Sequence, residues 1–377
     1  MTLAEDNNPF QSNIVHIGGR KSKLAVVQSE SIKAKIATLH PDFSIDVLAF
    51  STLGDKVQNV PLYSFGGKSL WTKELEILLM HKIDPYEKLD LVVHSLKDLP
   101  TVLPPEFELG CITEREDPTD ALCMAKDSPY KTLNDLPDGS VVGTSSLRRS
   151  AQLKKNFPNL RYQVIRGNVI TRLAKLDDPE TPFKCIVLAT AGLKRLDLAH
   201  RITMTLNLDN SGMYHAVGQG ALGIEIKRGN SHIKKLLQEI SHKPTTICCL
   251  AERALMRTLE GGCSVPIGVE TSYDPSTKNL TLKGIVISPN GKESVEDVFA
   301  QKINDDNLVE DSENVGKTLA HKLAQKGAKR ILEEINFEKI KSEEELAKKS
   351  EAEIPKETLQ RLKVEHTDLP LTDGLEL

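Results

Sequence analysis

The chain has 377 residues, 39% of them hydrophobic, enough for about two or three domains and for a core that needs no disulfide or metal staple. A net charge of −4 excludes a general pull toward nucleic acid or anionic membrane, so any anion-binding surface must be local. None of the six cysteines stands in a C-x-x-C pair, no apolar run is long enough to span a membrane, and the first residues are acidic and polar, so a reduced, cytoplasmic protein is expected.

In chain order, residues 13–17 read as a strand that stops at Gly18-Gly19. Ser22 can cap the next helix, which carries Leu24, Val27, Ile32 and Ile36. Strands are expected over 45–50, 91–94 and 109–112, with an amphipathic helix over 70–81. A second series follows, with strands at 140–142, 162–165 and 185–189, each leading into a helix. Such alternation implies βαβ units and parallel pairing. Past about residue 240 the pattern changes to a helix over 247–259, three strands (265–271, 280–288, 295–301) and a long helix over 314–335, an α+β arrangement. Residues 53–69, with Gly54, Pro61, Gly66 and Gly67, have the profile of an active-site lid, and 336–377 form a charged extension.

Cations recur where strands end. They are Arg20 and Lys21 after the first strand, Arg148 and Arg149, then Arg166 and Arg172, then Lys194 and Arg195. In open α/β sheets ligands sit beyond the carboxyl ends of the strands, and arginine matches carboxylate with a planar fork. Any one of these arginines alone reads as a solvated cation. The recurring set points to a ligand with several carboxylates.

Several motifs fail. Phe65-Gly66-Gly67-Lys68-Ser69 lacks the first glycine of a phosphate loop, Gly18-Gly19 lacks the third glycine of a dinucleotide loop, and no clustered Cys/His metal set occurs. Two other segments stand out. Cys263, in Leu259-Glu260-Gly261-Gly262-Cys263-Ser264-Val265-Pro266, reads equally as an accessible thiol or as a small buried side chain. His94-Ser95-Leu96-Lys97-Asp98-Leu99-Pro100 places an acid beside a base after a short strand. There Asp98 could stabilise a cation or simply form a loop salt bridge.

Together with Gly18 to Ala25, Lys68 to Glu76, Val142 to Arg149, Arg166-Gly167-Asn168 with Thr171-Arg172-Leu173, Leu188 to Leu193 and Val217 to Gly223, these segments resemble, in order, the hydroxymethylbilane synthase (porphobilinogen deaminase) family. The resemblance implies an α/β fold with two lobes similar to type II periplasmic binding proteins, built on mixed, largely parallel sheets, plus a small α+β C-terminal domain with an antiparallel sheet. Lobe 1 would take 1–115 and 216–240, lobe 2 would take 116–215, and the cofactor-attachment domain 241–335. It further implies a dipyrromethane cofactor joined to Cys263 through a thioether, and the stepwise condensation of four porphobilinogens with loss of ammonia. Asp98 would be catalytic. Lys97, Asp98, Thr144, Ser145, Ser146, Arg148, Arg149, Arg166, Arg172, Gly192 and Val217 would hold the cofactor. Arg20, Ser22, Arg148, Arg172 and Arg195 would hold the substrate. No metal, nucleic acid or membrane partner is implied, and the protein would be a monomer.

Two departures from the family pattern are Trp71, where phenylalanine is common, and Gly18-Gly19, where many members have glycine then threonine. A two-lobed polycarboxylate receptor without chemistry is the competing reading, and it has no need of Cys263 or Asp98. For the enzyme, Cys263→Ala is expected to fold, to show the mass of the bare polypeptide by intact mass spectrometry, and to lose all turnover. Retained turnover would remove Cys263 from the assignment.

Overall fold

The computed structural model describes residues 13–50, 69–82, 87–259 and 265–335. Cys263, the extension over 336–377 and the expected lid other than Ser69 lie outside the described residues.

The first lobe begins with strand β1 (Ile14–Arg20) and helix α1 (Lys23–Leu39), which starts where Ser22 Oγ accepts the Ala25 N–H at 3.3 Å. β1 does not stop at Gly18-Gly19 but runs through it to Arg20. The glycines serve packing: a Cβ on Gly18 would lie 2.3 Å from Leu89 Cδ1, and one on Gly19 2.5 Å from Ser29 Oγ of α1. Strand β2 (Ser44–Phe50), helix α2 (Ser69–Met80) and strands β3 (Leu91–Ser95) and β4 (Phe107–Ile112) follow.

The chain then crosses to a second sheet, made of β5 (Asp120–Met124), β6 (Val141–Gly143), β7 (Arg161–Gln163), β8 (Phe183–Ala189) and β9 (Met204–Leu206). Its helices are α3 (Leu147–Asn156), α4 (Val169–Asp177), α5 (Thr190–Arg195) and the single turn α6 (Leu208–Ser211). The chain crosses back into β10 (Leu222–Lys227) and helix α7 (Ser231–Glu239).

The two sheets share one plan. The first has the order β2-β1-β3-β10-β4 and the second β7-β6-β8-β5-β9. In each, the first three strands run parallel, and the strand reached by the crossing pairs antiparallel on both sides. This is the two-lobed α/β arrangement expected, with each lobe donating a strand's worth of connection to the other. β5, β9, β10 and α7 were not anticipated. All five residues of β5 are buried, and a strand covered on both faces has no alternation to read.

A third unit packs helix α8 (Lys243–Thr258) and helix α9 (Leu308–Gln325) against an antiparallel sheet of β11 (Ile267–Asp274), β12 (Asn279–Ile287) and β13 (Ser294–Lys302). Gly316 of α9 lets the helices touch backbone to backbone, since a Cβ there would lie 2.1 Å from Ala251 O. The single helix expected over 314–335 is instead interrupted. α9 stops at Gln325, Gly327 adopts φ +103°, and a second helical stretch covers 328–335.

One buried carboxylate ties this unit to both crossings. Glu252 of α8 is fully buried and pairs with both terminal nitrogens of Arg115 on the first crossing, at 2.6 and 3.0 Å. It also accepts the Gly218 N–H of the second crossing at 2.7 Å and the Thr271 hydroxyl of β11 at 2.7 Å. His215 adds a backbone bridge to Val269 of β11. Burial opposes ionisation of Glu252, but the Arg115 guanidinium outweighs it and holds the carboxyl well below the usual carboxylate range.

A group held down in this way stabilises the fold above its unfolded value and loses that contribution as pH falls below it. Acid unfolding of the wild type is therefore expected to steepen below about pH 4.5. Glu252→Gln, which leaves Arg115 buried without its counter-charge, is expected to cost about 3–5 kcal/mol in denaturant titrations and to flatten that acid limb.

Candidate active site

The parallel strands of each lobe point their carboxyl ends at the other lobe. From the first lobe, β3 ends in a short 3-10 turn, Leu96–Asp98, which carries Lys97 half-buried and Asp98 exposed. From the second, β6 ends in Thr144-Ser145-Ser146, and Ser146 Oγ caps α3 through the Arg149 N–H at 3.4 Å. Thr144 Oγ1 accepts the Ser146 N–H at 3.2 Å, and Ser145 Oγ donates to Ile165 O at 2.5 Å, so the three hydroxyls shape the turn. Asn168 caps α4 through the Thr171 N–H, and one turn on Arg172 Nε donates to Gly167 O at 2.7 Å. That bond anchors the guanidinium by its stem side.

The centre of the rim is Asp120, at the first residue of β5 and 1% exposed. Arg148 grips it with two nitrogens, at 2.8 and 3.2 Å. Arg149 does the same through Nε at 3.0 Å and Nη2 at 2.8 Å. Gln219 Nε2, from the second crossing, donates to the same carboxylate at 2.8 Å. Burial works against the charge on Asp120, and the two guanidinium groups overcome it, so the carboxyl stays ionised far below its usual range.

The lobes meet electrostatically here. Burial pushes the Lys97 ammonium down to about 8; the charges of Asp98 and Asp120 oppose that shift, while those of Arg149 and Arg148 add to it. Burial also takes Arg172 down to about 10, with Arg149 and Arg166 pushing the same way and Asp98 opposing. Lys97, Arg148, Arg149, Arg166 and Arg172 thus share one field with the acids Asp98 and Asp120. Among the described residues Arg172 forms no ion pair, and the Asp98 carboxylate makes no hydrogen bond. A cluster of cations at half-buried positions favours an anionic ligand. Two linked pyrroles, each bearing an acetate and a propionate, suit this donor set.

The other expected residues lie around this centre. Arg20 is half-buried at the end of β1, and Ser22 is committed to capping α1. Gly192 is buried on α5, where a Cβ would meet Leu24 Cδ2 of the first lobe at 3.6 Å. Because α5 starts directly at the end of β8, Lys194 and Arg195 fall in its last turn rather than at the strand end. Arg195 Nη2 donates to Gly220 O at 2.7 Å, and Lys194 pairs with Glu116 and Asp117, so both reach the crossings. The Val217 side chain is buried in the core of the third unit. Sequence reasoning missed Asp120, Gln219, Arg115 and Glu252; the lone acid opening the apolar run Asp120–Met124 was the available signal for the first. No set of three or more His, Cys, Asp or Glu among the described residues could hold a metal ion.

A family model described as porphobilinogen deaminase, dipyromethane cofactor binding domain, matches residues 15–235, and one described as porphobilinogen deaminase, C-terminal domain, matches 246–325. The chain belongs to the porphobilinogen deaminase family. It is 62% identical over 326 residues to the porphobilinogen deaminase of Kluyveromyces lactis, covering 86% of this chain and 98% of that one. It is 58% identical over 327 residues to that of Saccharomyces cerevisiae, covering 87% and 98%. Among solved structures, the methionine binding protein MetQ overlaps 60% of this chain and 90% of its own at 14% identity, with a TM-score of 0.36. As for a porphobilinogen deaminase, the dipyrromethane site is assigned to the matched span 15–235, which contains the whole cationic rim.

Because Lys97 gives up its proton near pH 8, binding of the dicarboxylate porphobilinogen to cofactor-free protein is expected to weaken as pH rises through that value. Calorimetry should show a loss on the order of tenfold. Lys97→Gln should start weaker and lack the step.

Proposed function

We propose that this chain is a hydroxymethylbilane synthase that joins four porphobilinogens in turn, releasing ammonia at each step and linear hydroxymethylbilane at the end. The observation that carries the reading at the level of residues is the cluster of cations around Asp98, whose carboxylate makes no hydrogen bond among the described residues. A receptor for polycarboxylates would use the cations and leave Asp98 without a task.

When bound through Cys263, the dipyrromethane supplies the electron-rich pyrrole carbon on which the product is started. The rest falls to this chain's side chains. Arg166, Arg172 and Lys97 receive the acetate and propionate arms, each charge-assisted bond contributing about 1.5–3 kcal/mol. Arg148 and Arg149 add their charge while committed to the protein: beyond Asp120, Arg148 Nη1 donates to Tyr214 O at 2.6 Å, holding the second crossing against the rim, and Arg149 Nη1 donates to Val187 O at 3.0 Å.

As ammonia leaves the aminomethyl carbon of porphobilinogen, positive charge spreads onto the ring and its N–H becomes acidic. The Asp98 carboxylate, set at that N–H, stabilises the charge and can take up a proton.

The same proposal places the enzyme in the cytoplasm as a monomer. Five described cysteines are buried and unbridged, which suits a reducing compartment. No described helix is long and apolar enough to cross a membrane.

Asp98→Ala is expected to fold, to bind porphobilinogen, and to release ammonia slower by on the order of 10²–10⁴-fold. Wild-type ammonia release by that variant would remove Asp98 from the chemistry.

A further inference from the structure

Asp98 is exposed and its carboxylate makes no hydrogen bond among the described residues, so its place is set by its neighbours in the chain. The end of the turn is closed from the third unit, where Arg253 donates to Leu99 O at 3.2 Å and to Pro100 O at 2.6 Å. The start of the turn is held by the Leu96 N–H bonded to Ala221 O at 2.9 Å.

Just before that lie His94 and Ser95, the last two residues of β3, whose side chains leave opposite faces of the sheet. On one face His94 Nε2 sits 2.8 Å from Glu225 Oε2. Glu225 is fully buried on β10, opposite Val92, and so diagonal to His94 on the shared face. On the other face the buried Gln28 of α1 holds the Ser95 hydroxyl, Nε2 donating at 2.9 Å and Oε1 accepting at 3.2 Å.

The Glu225 contact is not explained by stability alone. Burying Glu225 costs free energy, its Oε1 finds no partner among the described residues, and an apolar residue there would pack at less cost. Beside it on α2, the Glu76 carboxyl is raised, first by burial and further by Glu225, so a second acid crowds the same pocket.

We propose that Glu225 with His94 and Gln28 with Ser95 are positioning residues that clamp the end of β3 from both faces and so fix the carboxylate of Asp98 against the substrate ring. This rests on the proposed role of Asp98. A shift of the strand end moves Lys97 together with Asp98 but leaves Arg148, Arg149, Arg166 and Arg172 of the second lobe in place, so most of the binding is kept and the reacting geometry is lost.

The test compares holoenzyme variants Glu225→Gln, Gln28→Leu and Asp98→Asn, with cofactor loading checked by intact mass. Each clamp variant is expected to lower kcat by about 10- to 100-fold while KM for porphobilinogen stays within about twofold. Hydrogen exchange at the Leu96 amide should quicken in both. Should Glu225→Gln fail to fold, Gln28→Leu, acting from the other face, carries the same test. Wild-type kcat in the clamp variants, or a loss confined to KM, overturns the inference while Asp98→Asn remains inactive. Full turnover by Asp98→Asn would instead overturn the role of Asp98 itself.

Discussion

Two guanidinium groups share a single buried carboxylate at Asp120, and the balance of charge there leaves the surrounding rim positive. Taking Arg148 and Arg149 to 5% and 6% exposure is tolerable only because Asp120 is beside them, held ionised in turn by both. Lys97, Arg166 and Arg172 then join the same field. Such a field favours a ligand with several carboxylates, and family membership identifies it as the dipyrromethane.

The position of Asp120 matters as much as its charge. It opens β5, the strand reached by the first crossing, and Gln219 of the second crossing donates to it. Both connections between the lobes therefore terminate on the charge cluster at one end. At the other they terminate on Glu252, through Arg115 and Gly218. Any relative movement of the lobes passes through segments pinned by one carboxylate in the second lobe and one in the third unit. The third unit is thus tied to the geometry of the cleft, with Arg253 of the same helix closing the turn that bears Asp98.

Much of this was legible in the sequence. The cap at Ser22, the βα series and the rim of cations follow from periodicity and strand-end chemistry. What the sequence hid has a common physical cause. β5 is buried on both faces, so its apolar run carries no period. In β10 the alternation Ile224-Glu225-Ile226-Lys227 suggests a solvent-facing acid, yet Glu225 is sealed inside against His94. Asp120 and Arg148 lie 28 residues apart, and Arg115 and Glu252 lie 137 apart, separations at which no local pattern links a charge to its partner. The glycines at 18 and 19 looked like a stop because their reason, the approach of Leu89 and Ser29, lies elsewhere in the chain.

The division of labour between acid and base follows from these placements. On the proposed roles, Arg172, which would hold an arm, is anchored at the stem through Nε to Gly167 O. The proposed catalytic acid is treated in the opposite way. The Asp98 carboxylate makes no hydrogen bond among the described residues, and the backbone on both sides of it is fastened instead. A carboxylate held by side-chain bonds would have to break them to serve each new ring. One held only through its backbone presents the same oxygens each time, which is what a site repeating one step on a lengthening chain requires.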